Sequence, residues 1–360
     1  MSLLDLFFLT LIGLVSSHNE SGEWSCESNW EAAGIVAEFK PGVVSLDGKG
    51  DEWVDIDGVE LSLLPALDPH EDDSYPGGKM TVKALHDGTN TFFLLQVASD
   101  YAYTKGDSNT CPSAALMFQI GQNATYHNMG GCKQSPGACT DKTCKGYEVD
   151  IMHFSIGNAI PGRLYGSNPA DVGIGGDRFG HLVDVYAWNP HCRYLDGLGP
   201  SGNDSIAQND WKGAWWHSSL SDHSGFVGED SPYSSNGHKG TYFFEFSRPL
   251  RTMDRLQQDV QFKIGDPSKF SAAFWYPVDG NPWHGSGHYT VSCDWLPLNF
   301  ISGDSLSFTT HTTAPRSSWD AAVAFSLLLS VVAFCLSVFL GLRLYQNKGT
   351  KFSLIGDDDI

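Results

Sequence analysis

MTVKALHDGTNTFFLLQVASD, Met80 to Asp100, sets two runs rich in apolar, β-branched and aromatic residues on either side of Asp87-Gly88. An Asp-Gly pair accepts the backbone angles of a tight turn at little cost, so the stretch predicts a β-hairpin. Similar runs recur along the chain: VVSLDG (43–48), AALMFQIG (114–121), LVDVYAWN (182–189), GTYFFEFSRPL (240–250), DVQFKIG (259–265), SAAFWYPVDG (271–280) and HYTVSCDWLPLNF (288–300). Most are short and bounded by Gly, Asp, Asn or Pro, which predicts an all-β, antiparallel sandwich or barrel. No amphipathic helical pattern of comparable strength interrupts them.

The ends of the chain read differently. LLDLFFLTLIGLVSS (3–17) is an apolar run closing on small residues, the pattern of a secretory signal peptide spanning 1–17. Ala321 to Leu342 carries no charge and is long enough for one transmembrane helix, which takes about 20 residues. Arg343, Lys348 and Lys351 follow it and place the tail, 343–360, on the cytosolic side. The expected organisation is therefore a signal peptide, an N-terminal segment (18–33), a sandwich (34–300), a Ser/Thr-rich stalk (301–320), a single membrane helix and a short tail. This is a single-pass type I membrane protein with its bulk extracellular or in the lumen of the secretory system. Asn19, Asn123 and Asn203 head N-x-S/T sequons, as an exported chain allows. A net charge of −20 opposes binding to nucleic acid or to anionic lipid headgroups.

Of the 8 cysteines, only Cys335 lies in the apolar run. The other seven, Cys26, Cys111, Cys132, Cys139, Cys144, Cys192 and Cys293, allow three disulfides and one leftover thiol in an oxidising compartment. Cys132, Cys139 and Cys144 lack the paired spacing of a zinc site and read as disulfide partners. From Gly197 to Lys239 the composition turns to Gly, Ser, Asn, Asp, His and Trp, which predicts a long functional or capping loop. GLGPSG (197–202) has the glycine spacing of a dinucleotide motif, but it contains Pro200 and opens no helix. The carboxylates of Asp68 to Asp73 read as a solvated acidic loop rather than a Ca²⁺ site.

No cysteine is followed directly by histidine, as covalent haem attachment requires. A haem held without covalent bonds needs axial ligands from separate segments, usually His, Met, Cys or Tyr. Met129 is followed by Gly130 and Gly131, whose missing side chains let backbone approach a flat macrocycle. His288 opens the last strand, whose apolar set is Tyr289, Val291, Cys293 and Trp295. Period-2 geometry puts His288 on the face opposite that set.

The Met80–Asp100 hairpin, AALMFQIG, NMGG, VDIMHFSIG, YFFEFSRPLRTMDRLQQDVQFKIGD, AAFWYPVDG and HYTVSCDWLPL, in that order, resemble the ethylbenzene dehydrogenase-related haem-binding domain. This family is similar to the haem b subunits of bacterial molybdenum dehydrogenases of the dimethyl sulfoxide reductase type. The resemblance runs from about Gly34 to Phe300, and Arg248-Pro249-Leu250 and Ser292-x-x-Trp295 are its most specific parts. It implies an immunoglobulin-like or DOMON-like antiparallel sandwich, akin to family-9 carbohydrate-binding modules, carrying one non-covalent haem b. It further implies that a Met from the Met-Gly loop and a Lys or His before the last strand are the axial ligands. Met129 matches the first position and His288 the second. Gly130 and His153 then fall in the pocket, and Met117, Met152 and His181 lie in or beside matched segments.

Met/His ligation fills both axial positions, which favours one-electron transfer to a partner protein over catalysis. The rival expectation is a haem-free module in which Trp215, Trp216, Trp275 and Trp283 stack on sugars or other ligands.

Overall fold

Met80 to His86 pair with Thr91 to Val97 across the Asp87-Gly88 turn, as the hairpin reading predicts: Leu85 lies opposite Phe92 and Val82 opposite Leu95. The computed structural model describes residues 34–65, 78–104, 107–126, 128–157, 159–166, 182–195, 210–220, 234–254, 256–283, 288–292, 294–303, 330 and 334–339. The strands are β1 (Ile35–Phe39), β2 (Gly58–Ser62), β3 (Leu64–Pro65), β4 (Lys79–His86), β5 (Asn90–Asp100), β6 (Ser113–Gln119), β7 (Val149–Ser155), β8 (Tyr165–Gly166), β9 (Leu182–Asn189), β10 (Cys192–Leu195), β11 (Lys212–His217), β12 (Lys239–Pro249), β13 (Pro267–Trp275), β14 (Tyr289–Thr290) and β15 (Leu296–Phe300). They form an all-β, sandwich-like fold. Its main strand order is β10-β9-β7-β6-β13-β15-β1-β4-β5-β12-β11-β8.

β1 belongs to both layers. Ile35 to Ala37 pair with β15 on one side, and Glu38 and Phe39 pair with β4 on the other. Both of these ladders are parallel, a departure from the wholly antiparallel expectation, and the one strand passes from layer to layer to serve both edges.

The core lies between the layers. Leu116, Phe118, Phe154, Phe270 and Phe274 from the first layer meet Phe93, Leu95, Phe244 and Phe246 from the second. Burying an aromatic or branched side chain of this size contributes about 1.5–3 kcal/mol. Inside the sandwich Arg248 donates to Asp150 at 2.7 Å and to the Val260 carbonyl at 2.6 Å. Carboxylate oxygens of Asp150, Asp184 and Asp259 lie within 4.8 Å of one another in the same buried region.

Several expectations need correction. VVSLDG and DVQFKIG form no strands: Val260 and Phe262 still enter the core, but the 259–265 segment is tied down by isolated bonds rather than a ladder, Phe262 N–H to Leu250 O and the Arg248 and Asp150 side chains to the Val260 backbone. The predicted last strand divides into β14 and β15. The stretch 197–239 is not one long loop, because β11 runs through it and Trp211 and Trp215 are core residues. Residues 196–209 and 221–233 lie outside the described residues.

Two disulfides join Cys132 to Cys144 and Cys139 to Cys192, so these cysteines do staple the loop that follows Met129. Cys111 is a buried free thiol, and burial pushes it up to about 11. Cys26 and Cys293 lie outside the described residues, as do the signal segment, residues 18–33, Asn19, Asn203, His181, the acidic loop 68–73 and nearly all of the stalk.

The chain divides into two units, residues 1–306 and 307–360. In the second, Ser330 and Phe334 to Phe339 are helical, and Phe334, Leu336, Val338 and Phe339 are exposed. No helix among the described residues is long and apolar enough to cross a membrane.

Candidate functional site

Alternation along four neighbouring strands gives the first layer a second apolar face. On β6, Leu116 and Phe118 point into the core while Ala115 and Met117 point outward. On β7, Met152 and Phe154 point inward while Val149 and Ile151 point outward, followed at the next outward position by His153. Val185 and Ala187 on β9, and Ala273 and Trp275 on β13, complete that face. The strand register sets Ala273 opposite Ala115, Ala115 opposite His153, and His153 opposite Val183, one row across four strands. A strand exposes such a face to water only at a cost, and here Ala115, Val149, Ile151 and Ala187 are all buried.

Met129 lies on this outer layer. Tyr126, Met129 and Trp295 pack in one cluster with Ala115, Ala124, Val149 and Ala187. The chain reaches Met129 through a tight reversal closed by two bonds, Thr125 N–H to Gly130 O and Gly130 N–H to Thr125 O, each 3.1 Å. Asn128 and Met129 both adopt positive φ, 54° and 45°, where side chains other than glycine rarely sit. Gly130 is required: at φ 108° its Hα faces the Tyr147 and Trp188 carbonyls, and a Cβ would lie 2.8 Å from Trp188 O. Beyond it, Cys132 N–H donates to Trp188 O, and the Asn189 amide donates to the Cys132 and Gln134 carbonyls at 2.7 and 2.9 Å. Those bonds and the two disulfides anchor the reversal to β9 and β10.

His288 comes to the same face. Its ring lies 4.8 Å from the Trp275 ring, and His153 lies 4.9 Å from Trp275 on the same indole. Burial pulls the His153 imidazole down to about 4, with the neighbouring His288 and Arg193 charges adding to the shift. At neutral pH His153 is therefore uncharged. Its Nε2 is buried with no hydrogen-bond partner.

The structure thus brings Met129, Gly130, His153 and His288 to one face, with Met117 beside them and Met152 on the opposite side in the core. His288 takes the face expected from period 2, but Trp295 does not join Tyr289 and Val291 in the core. Strand pairing is interrupted between Thr290 and Leu296, and Trp295 turns to the outer layer. Its indole N–H donates to Ala124 O at 3.0 Å. Tyr126 is a site residue that the sequence reading does not single out, whereas Trp275 is named there only for the rival ligand-stacking reading and the resemblance marks Trp295 within its last-strand pattern. Asn123 is exposed, six residues before Met129.

The tryptophans of the rival expectation are mostly occupied. Trp215 is fully buried and donates to Ala159 O, and Trp283 donates to Cys111 O at 2.7 Å. Trp216 is partly buried with the Lys49 ammonium 5.0 Å from its ring centre.

Among solved structures, the chain is similar to a family 9 carbohydrate-binding module from Caldicellulosiruptor kristjanssonii in complex with cellotriose. That match has 7% identity and a TM-score of 0.36 and covers 79% of this chain and 98% of the other. The same module in complex with glucose matches at 7% identity and a TM-score of 0.33, covering 78% and 99%. No curated protein matches the chain significantly. The family model described as ethylbenzene dehydrogenase matches residues 51–290, two thirds of the sequence and nearly all of the sandwich, and the chain belongs to that family.

Proposed function

We propose that the chain is an extracytoplasmic b-type cytochrome, binding one haem non-covalently on the outer face of the first layer and transferring single electrons. The observation that carries this reading is the donor set: a thioether at Met129 and imidazoles at His288 and His153 converge on one apolar face of a domain from this family. Ala115 and Ala273, side by side in the register, keep the floor beside His153 low, as a flat ligand requires. The partnerless, buried Nε2 of His153 offers a polar contact to such a ligand.

Met129 and His288 are the side chains that would hold the haem iron, and the haem would supply a one-electron couple. If Met129 and His288 both held the iron, no open site would remain for substrate, which would favour electron transfer over catalysis. Trp275 and Trp295 exclude water from the face, and Gly130 lets the backbone bring Met129 close. His153, held neutral, adds no positive charge that would have to be buried beside the iron.

The apolar run 321–342 anchors the domain to a membrane, with the sandwich extracellular or lumenal and Asn123 available for glycosylation. The exposed apolar side chains of the described helix, Phe334 to Phe339, support an anchor. The electron partner is a separate protein. Titration of the full-length chain with haemin tests the reading. One haem per chain is expected, and Met129→Ala is expected to give a five-coordinate or water-ligated iron with a shifted spectrum. A chain that takes up no haem would overturn it.

A further inference from the structure

We propose that Trp295 is a positioning residue that fixes Met129 relative to His288; the inference rests on the haem reading above. The Met129 reversal is rooted at Ala124, and the Ala124 carbonyl accepts two side-chain bonds, from Trp295 Nε1 at 3.0 Å and from Gln119 Nε2 at 2.9 Å. The Trp295 ring also meets the Tyr126 ring edge-on at 6.4 Å, inside the same reversal. Trp295 and His288 belong to one short connection, since both follow β13 and precede or flank β14 and β15. The segment that presents the imidazole therefore carries the residue that holds the root of the thioether loop.

A second link runs the same way. The Tyr126 hydroxyl also lies beside the Thr290 side chain, two residues beyond His288. Thr290 in turn donates to Ala272 O at 3.4 Å and lies 3.5 Å from the Ser271 hydroxyl on β13. The reversal is tied at its far end to β9 and β10 by the Cys132 and Asn189 contacts, so only its near end answers to the His288 segment. Two axial ligands from separate segments must be held at one spacing across the iron, and a loop with two consecutive positive-φ residues will not hold that spacing by itself. Phenylalanine at 295 would keep most of the packing and lose the bond to Ala124.

The experiment compares full-length wild type, Trp295→Phe, Gln119→Met and Met129→Ala, each loaded with haem. The readouts are haem content, the near-infrared charge-transfer band of methionine-ligated ferric haem, and the reduction potential. Methionine ligation raises the potential, so its loss lowers it. Trp295→Phe is expected to keep its haem, lose at least half of the band and shift the potential towards that of Met129→Ala. Gln119→Met, which removes the other donor without opening a cavity, is expected to shift both in the same direction by less. It decides the matter should Trp295→Phe not fold. Wild-type-like band and potential in the folded variants, with Met129→Ala clearly altered, would overturn the positioning role and leave the haem reading standing. A wild-type haem protein without the band, or one unaffected by Met129→Ala, would remove Met129 as a ligand and the inference with it.

Discussion

The imidazole of His288 lies 4.8 Å from the indole of Trp275, ring centre to ring centre, with the planes inclined by 33°. The same indole packs against His153 at 4.9 Å, so Trp275 lies against both imidazoles and contributes to the burial of His153. Trp275→Ala is expected to let water reach His153 and to raise its pKa from about 4 towards the ordinary 6.5, as read by NMR titration of the ring protons. A value unchanged by the substitution would mean that other groups supply the burial.

His153 also makes stability depend on pH. Its pKa is lower in the folded chain than in the unfolded chain, so between 6.5 and about 4 the unfolded state binds the extra proton. The contribution is fully present above pH 6.5 and is lost as pH falls to about 4, with a slope of at most about 1.4 kcal/mol per pH unit. In haem-free protein, the stability of wild type relative to His153→Phe is expected to decline over that window, measured by urea unfolding at stepped pH. A constant difference would contradict the buried, neutral imidazole.

Arg248 and Asp150 form an ion pair with side chains 0% and 1% exposed. Burial raises the Asp150 pKa and Arg248 opposes that rise. Arg248→Met is expected to cost about 3–5 kcal/mol, because it strands a carboxylate already crowded by Asp184 and Asp259. With its partner gone, Asp150 takes up a proton on folding, so the deficit grows as pH rises above the ordinary carboxylate range. Asp150→Leu combined with Arg248→Met is expected to recover part of the loss in the same unfolding assay.

The parts of the fold legible in the sequence were those where one local signal sufficed. Asp87-Gly88 announced the hairpin, and LVDVYAWN matches β9 residue for residue. β11 was hidden because KGAWWH sits in a polar, glycine-rich stretch and gains its structure from pairing with β12. DVQFKIG looked like a strand because its apolar residues do enter the core, yet isolated backbone bonds and side-chain bonds from Arg248 and Asp150 hold it in place of a ladder. At the site, alternation placed His288 on the outer face but failed for Trp295, where the ladder is interrupted. The contact of Trp275 with both histidines depends on the β13–β6–β7 register, which no single segment reveals.

The two disulfides could be expected from composition, but not their pairing, since four cysteines allow three connectivities. The Cys132–Cys144 bridge closes a separation of 12 residues and Cys139–Cys192 one of 53. Chain-entropy reasoning gives about 3 and about 4 kcal/mol respectively. Replacing Cys139 and Cys192 together by serine is therefore expected to lower the urea midpoint more than replacing Cys132 and Cys144. The reverse order would show that the smaller bridge holds the Met129 loop more strongly than entropy alone accounts for.

The central claim is that His288 holds a haem iron, and haem retention by His288→Ala tests it most directly. Full-length wild type and variant, loaded with haemin and passed through a desalting column, are compared by their oxidised and reduced spectra. Wild type is expected to emerge with one haem per chain and a six-coordinate spectrum, and His288→Ala to lose most of its haem while keeping the wild-type far-ultraviolet circular dichroism. A folded His288→Ala protein with unchanged haem content and unchanged spectra would contradict the assignment and make His153 the imidazole to test next.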